Sequence, residues 1–258
     1  MTKIVTFCSF KGGTAKTSSC LHLGAALAKF HRKKVLLIDF DAQANLSAGL
    51  GFGVDNLNTM VNVLQGNKKA HEVILNSEVK NLDIIPANVY LDGIESTVPI
   101  VGDLYGHERL RKALLGLDQY DFIFIDTPPS LGWLTQSALF AAHYSLICAV
   151  PEAYSILALD RLRQYHLQIQ ENHPIELVGV VLSFWSDRGA TNDAFVGAID
   201  LAFPEKLFKQ KIRRDVAISR AVLKGMPVFE VTSNSRASDD FKLLSKEFLT
   251  RVKVGVHV

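Results

Sequence analysis

Short apolar runs rich in β-branched residues recur along the chain, and most are followed by a stretch whose apolar positions repeat with helical spacing. Seven runs read as strands: Ile4 to Cys8, Val35 to Ile38, Leu82 to Ile85, Phe122 to Ile125, Ser145 to Val150, Leu177 to Ser183 and Leu207 to Ile212. Helical periodicity marks 17–31, 107–115, 132–142, 156–171, 191–202 and 237–252. Alternating strand and helix patterns are the signature of parallel strands joined by crossover helices and covered on both faces. The expected architecture is therefore α/β: a mostly parallel, twisted sheet of seven or eight strands with helices on both faces. The segment 49–81 shows no clear period, and Gly102 to Gly106 reads as a loop. No repeat, low-complexity tract or linker interrupts the pattern, so residues 1–258 are read as one domain.

Composition narrows the class. With 258 residues the chain can bury a sizeable core, and 48% hydrophobic against 21% charged residues excludes a disordered protein. The formal net charge of +2 is too small to imply nucleic-acid binding without a local patch. Cys8, Cys20 and Cys148 are far apart in apolar segments and read as buried free thiols in a reducing cytoplasm. The N-terminus runs from Met1 directly into a strand, leaving no room for a signal peptide, and no apolar run approaches the roughly 18 residues that span a bilayer. The histidines, His22 and His143 among them, lack spacing partners for a metal site, and Trp133 and Trp185 are read as packing residues.

Candidate chemistry begins between the first strand and the first helix, at Lys11, Gly12, Gly13, Thr14, Ala15, Lys16, Thr17 and Ser18. In such a turn the backbone N–H groups freed by glycines and by the first helical turn converge on one spot, which suits a polyphosphate. Lys16 would reach the β- and γ-phosphates, and the Thr17 hydroxyl is placed for a magnesium ion. The match to G-x-x-x-x-G-K-[ST] is incomplete, because Phe10 and Ala15 stand where glycines are expected. Taken alone, the segment could be a glycine-rich turn that happens to carry two lysines. A second motif, Asp39-Phe40-Asp41-Ala42-Gln43-Ala44-Asn45, leaves the carboxyl end of the second strand, where α/β sheets bind ligands. Asp41 is the candidate for orienting an attacking water and Asp39 for holding magnesium-bound water; a solvated acidic turn is the plainer alternative. The third is the strand ending in Asp126, whose carboxylate would lie beside the magnesium, followed by Thr127-Pro128-Pro129-Ser130. Paired prolines stiffen a loop that must respond to a γ-phosphate.

The arrangement K-G-G-x-x-K-T, with a second lysine five residues before Lys16, resembles the deviant Walker A box of the ParA/MinD family of P-loop ATPases. D-x-D-x-Q-x-N and D-T-P-P-S resemble the two switch regions of ParA proteins. Gly49-Leu50-Gly51, Ile85-Pro86-Ala87, the stretch from Ala138 to Leu162, and Lys224-Gly225-Met226-Pro227-Val228 extend the likeness over nearly the whole chain. The chain is closest in pattern to the short plasmid or chromosome partition proteins. The resemblance implies ATP and Mg2+ as cofactors and a sandwich homodimer in which Lys11 contacts the phosphates of the opposite subunit. It further implies nonspecific binding of double-stranded DNA and slow hydrolysis stimulated by a ParB-like centromere-binding partner. A cytoplasmic, nucleoid-associated protein without stable membrane association follows.

The densest basic segment is Lys206, Lys209, Lys211, Arg213, Arg214, Arg220 and Lys224, where the family carries part of its DNA surface. Lys211, Arg213, Arg214 and Arg220 are the DNA candidates, weighed evenly against an ordinary solvated face. Arg213 and Asp215 replace the Pro and Asn usual there. Lys242, Lys246, Arg251 and Lys253 form a second candidate patch. The same last helix carries Phe241, Leu244, Phe248 and Val252, a stripe expected to pack on the sheet rather than lie on a membrane as in the MinD branch. Pro151-Glu152-Ala153-Tyr154 corresponds to a segment that forms part of the family's dimer face. A nucleotide-switched DNA-binding regulator with little turnover, and a membrane-associated positioning ATPase, remain as alternatives.

Overall fold

The computed structural model describes residues 1–9, 11–53, 55–94, 106–152, 155–187 and 192–254. Seven strands form one sheet: β1 Lys3–Cys8, β2 Val35–Asp39, β3 Leu75–Asn76, β4 Leu82–Ile85, β5 Phe122–Asp126, β6 Tyr144–Ala149 and β7 Glu176–Leu182. Their order is β3-β4-β2-β5-β1-β6-β7, and every pairing is parallel except β3 with β4. Ten α-helices are described: α1 Lys16–His31, α2 Asn45–Gly49, α3 Met60–Leu64, α4 Arg109–Ala113, α5 Trp133–Ala141, α6 Ser155–Gln170, α7 Asn192–Ala202, α8 Val216–Leu223, α9 Val228–Val231 and α10 Arg236–Val254. Of the expected loop from Gly102 to Gly106, only Gly106 lies within the described residues.

The expected strand from Leu207 to Ile212 does not form. Its ends bridge to the edge of the sheet, Val180 with Leu207 and Trp185 with Arg213. Between them the N–H groups of Lys209 and Gln210 are taken by the Glu247 carboxylate on α10, at 3.0 and 2.9 Å. Phe208 N donates to the Val180 carbonyl, and the next donor in phase, Gln210 N, goes to Glu247 instead of to β7, which breaks the ladder. The seventh strand instead lies at the opposite edge as β3, two residues antiparallel to β4 and too short to leave a periodic signal. The aperiodic segment 49–81 also holds α3, whose start is fixed by Thr59. Its Oγ1 accepts from Val61 N, while its own N–H donates to Asn62 Oδ1.

Side chains alternate across the central strands. On β5, Phe122 and Phe124 face α1 and α10, and Ile123 and Ile125 face the α3–α4–α5 side. Phe248 of α10 is fully buried with its ring centroid 5.6 Å from those of both Phe122 and Phe124. The apolar stripe of α10, with Phe241, Leu244 and Val252, is thus core, in agreement with the sequence reading. No described helix is long and apolar enough to cross a membrane. Behind the first acidic loop, Gly225 (φ +63) backs onto Gly51, where an added Cβ would lie 2.5 Å from the Gly51 Cα. Only glycine fits there.

Phe248→Ala should destabilise the fold by about 3–5 kcal/mol, read as a lower urea midpoint with unchanged m-value. A loss under about 1 kcal/mol would mean that α10 contributes little to the core.

Candidate functional site

The strand order sets the site. Because β5 lies between β2 and β1, the loops that follow these three strands emerge side by side at one edge of the sheet. Asp39 pairs in register with Asp126, Phe7 with Asp126, and Phe40 N donates to the Asp126 carbonyl at 2.9 Å.

The loop from Lys11 to Ala15 turns into α1 through left-handed backbone at Gly13 (φ 76) and Ala15 (φ 58, ψ 27). Ala15 therefore holds the conformation for which glycine is the usual residue, at a cost of roughly 1–2 kcal/mol. No side chain caps α1 and no acid lies in its first turn, so the positive end of the helix faces the loop. Lys16 opens the helix. Its Nζ donates to Asp126 Oδ1 and the Thr17 hydroxyl donates to Asp126 Oδ2, both at 2.6 Å. The ion pair is nearly dry, with side-chain exposures of 6% and 1%. Burial works against the Lys16 charge, but the attraction and hydrogen bond of Asp126, with Asp41 adding to them, hold its pKa above the ordinary lysine value.

Asp39 is buried. Its Oδ2 accepts from Ser47 N and Ser47 Oγ at 2.8 and 2.7 Å, and its Oδ1 accepts from Asp41 N at 3.3 Å. Burial, and then the neighbouring Asp126 charge, push its pKa up to about 7 against those hydrogen bonds. Asp41 Oδ1 accepts from Gln43 N at 3.0 Å; burial raises its pKa as well. Thr127 Oγ1 donates to the Phe7 carbonyl at 2.8 Å, fixing the start of the proline loop. Lys16, Thr17, Asp39, Asp41 and Asp126 are thus brought together. Lys11 is turned aside and pairs with Glu152 beyond β6, both half exposed. Ala153 and Tyr154 lie outside the described residues.

Two further features face this edge. The Thr14 hydroxyl is buried without a hydrogen-bond partner. A cavity of about 420 Å³ opens beside the loop, bounded by Ala15 and Ser18 on one side and by Phe184, Ile212 and Ile218 on the other. The basic segment is divided. Arg213 is held by the buried Asp240 through Nη2 at 2.6 Å and Nε at 3.0 Å. Lys211 lies 3.9 Å from the Trp185 ring centroid, and Arg214 5.8 Å from that of Phe184. Arg214, Arg220 and Lys224 are exposed. In the second patch, Arg251 pairs with Glu247 at 2.8 Å, and the side chain of Lys253 lies outside the described ones.

Sequence reasoning missed Ser47, Asp240 and Glu152 as partners. Ser47 sits on the short α2, and Asp240 is an acid beside the apolar stripe of α10, a departure that could have been noticed. The three cysteines are buried free thiols, with burial raising Cys8 and Cys148 to about 12. His22 is buried and pushed down to about 3.

Comparison with known proteins comes to the same fold. A family model described as an AAA domain matches residues 2–178. A ParA family protein of Chlamydia pneumoniae is 51% identical over 248 residues, covering 96% of this chain and 97% of the relative. The chromosome-partitioning ATPase Soj of Treponema pallidum is 34% identical over 254 residues, covering 97% and 98%. The structure of the septum site-determining protein MinD of Pyrococcus horikoshii, complexed with Mg-ADP, superposes with a TM-score of 0.79 at 26% identity, covering all of both chains.

Asp39 binds its proton more tightly folded than unfolded, so between about pH 4 and 7 it lowers the stability of the protein as pH rises. Asp39→Asn should accordingly raise the melting temperature more at pH 8 than at pH 5. Equal shifts at the two pH values would show that the Asp39 charge is not the cause.

Proposed function

The chain belongs to the ParA/MinD family of P-loop NTPases, and from that premise we propose that it is an ATP-dependent partition ATPase for plasmid or chromosome segregation, acting as one domain. The observation that carries this reading is the convergence of Lys16, Thr17 and Asp126 under an uncapped helix N-terminus. Lys11 to Ser18 would cradle the triphosphate. The buried, unpartnered Thr14 hydroxyl supports it, since an incoming phosphate oxygen is the partner it lacks. The 420 Å³ cavity against Ala15 and Ser18 has room for a purine.

The donor set also fits magnesium. Among the described residues no three His, Cys, Asp or Glu side chains are placed to hold a metal ion by themselves, whereas magnesium takes one or two carboxylates together with phosphate oxygens and water. Thr17 and Asp126 would hold it directly and Asp39 through water. When bound, it neutralises charge on the phosphates. Lys16, released from Asp126, would offer its ammonium to the phosphates. Asp41, at the mouth of the site, would orient the attacking water.

Lys11 would leave Glu152 to complete the opposite site in an ATP-bound homodimer. That dimer would bind DNA nonspecifically through exposed cations, with Arg214 and Arg220 first, Lys211 beside them, and Arg213 serving chiefly to dock α10. Slow hydrolysis, stimulated by DNA and a ParB-like partner, would release it. The cycle belongs in the cytoplasm on the nucleoid, with no stable membrane attachment, because the apolar stripe of α10 is buried. That burial counts against the positioning-ATPase alternative, and the left-handed backbone retained at Ala15 counts against loss of turnover.

Hydrolysis and dimerisation measured together, with and without nonspecific DNA, test this. Lys16→Ala should lose nucleotide binding, while Asp41→Ala should bind ATP and stay dimeric with turnover reduced at least about 100-fold. Normal hydrolysis by Asp41→Ala would remove its assigned role. Separately, Arg214→Glu with Arg220→Glu should weaken DNA binding of the ATP state and flatten its log-log salt slope by about 0.9 for each phosphate that is no longer neutralised. An unaltered slope would exclude this patch.

A further inference from the structure

Ser183 and Phe184 follow β7 directly, and both line the cavity of about 420 Å³ that lies against Ala15 and Ser18. Ser183 is 1% exposed, and its Oγ is buried with no hydrogen-bond partner among the described residues. A buried hydroxyl left unpaired destabilises the fold, and a polar atom brought in by a ligand would remove that cost. Phe184 holds left-handed backbone (φ 54), yet it is 43% exposed. For a bulky residue that conformation is strained, and strain kept at the rim of a cavity points to a function there. The backbone is fixed on both sides of it. Ser183 N donates to the Ala149 carbonyl at 2.9 Å and Trp185 N to the Ile212 carbonyl at 3.0 Å, so Phe184 makes the turn between them. The charged groups of the lining are engaged elsewhere. Arg213 is bound to Asp240, and Asp215 accepts from Ala217 N at 2.9 Å and Ala237 N at 3.1 Å.

We propose that Ser183 and Phe184 select the base of the bound nucleotide, Phe184 by stacking on a purine and Ser183 by a hydrogen bond to the purine edge. This rests on the nucleotide reading of Lys11 to Ser18 and adds the side chains that choose among bases. Phe184, Ile212, Ile218 and Val222 give the cavity apolar walls, against which the faces of a flat ring are removed from water. A fused purine has more face to cover than a single pyrimidine ring. The serine hydroxyl donates one hydrogen bond and accepts others, so it can meet a ring nitrogen or an exocyclic amine. A ligand without a base leaves it unpaired. An exposed phenylalanine, with Arg214 5.8 Å from its ring centroid, would also suit a DNA surface, but Ser183 is buried and out of reach of a duplex.

Calorimetric titration of the full chain with the magnesium salts of ATP, UTP and inorganic tripolyphosphate, which has the charges and no base, tests this. ATP should bind more tightly than UTP. Phe184→Ala should weaken ATP binding at least about fivefold, and Ser183→Ala about two- to tenfold, with tripolyphosphate affinity unchanged in both. Phe184→Tyr, which keeps the ring, should keep the ATP affinity. A chain that binds neither ATP nor tripolyphosphate would overturn the nucleotide reading and this assignment with it. Binding of both, with ATP affinity intact in the two alanine variants or lowered together with that of tripolyphosphate, would overturn the base assignment alone. Equal affinity for ATP and UTP would do the same.

Discussion

A carboxylate buried at the end of three parallel strands cannot remain charged without donors, and Asp126 has two, the Lys16 ammonium and the Thr17 hydroxyl. Around that requirement the edge of the sheet is organised. β5 lies beside β1, so the donors, which follow the loop after β1, reach it, and its other neighbour is β2. Asp39, one strand away and in register, then feels the same negative charge and needs Ser47 to hold it. Removing one partner from a buried ion pair costs about 3–5 kcal/mol. The site is therefore a closed knot in which the lysine and the threonine satisfy the carboxylate.

Much of this was legible in the sequence because the signals are local. Apolar runs gave six of the expected strands, and three motifs at strand ends marked Lys16, Thr17, Asp39, Asp41 and Asp126. The comparisons with ParA relatives agree with the resemblance those motifs carry. The failures share a cause: side chains distant in sequence decide the local conformation. Glu247 sits 38 residues from the Lys209 N–H it captures, and so turns a strand-like run into an edge segment. Asp240, 27 residues from Arg213, converts a candidate surface cation into the anchor of α10. Neither could be read from spacing within the basic segment. β3 and α2 are too short for periodicity, which needs more residues than either possesses.

Charge placement in this chain is consequently a poor guide to charge availability. Lys11, Arg213 and Arg251 each face a carboxylate, whereas Arg214 and Arg220 are turned to solvent. Two lysines of one motif have opposite fates, because Lys16 lies where the helix meets the sheet and Lys11 where the loop meets water.

The backing of Gly225 onto Gly51 ties these regions together. Gly51 closes the segment that starts at Asp41, and Gly225 ends the segment that carries Arg220. At their meeting point a Cβ added to Gly225 would lie 2.5 Å from the Gly51 Cα and 2.8 Å from its N. Hard-core repulsion does not depend on salt, pH or sequence-specific chemistry, so a side chain at 225 would force the acidic loop and the basic segment apart under any solution condition.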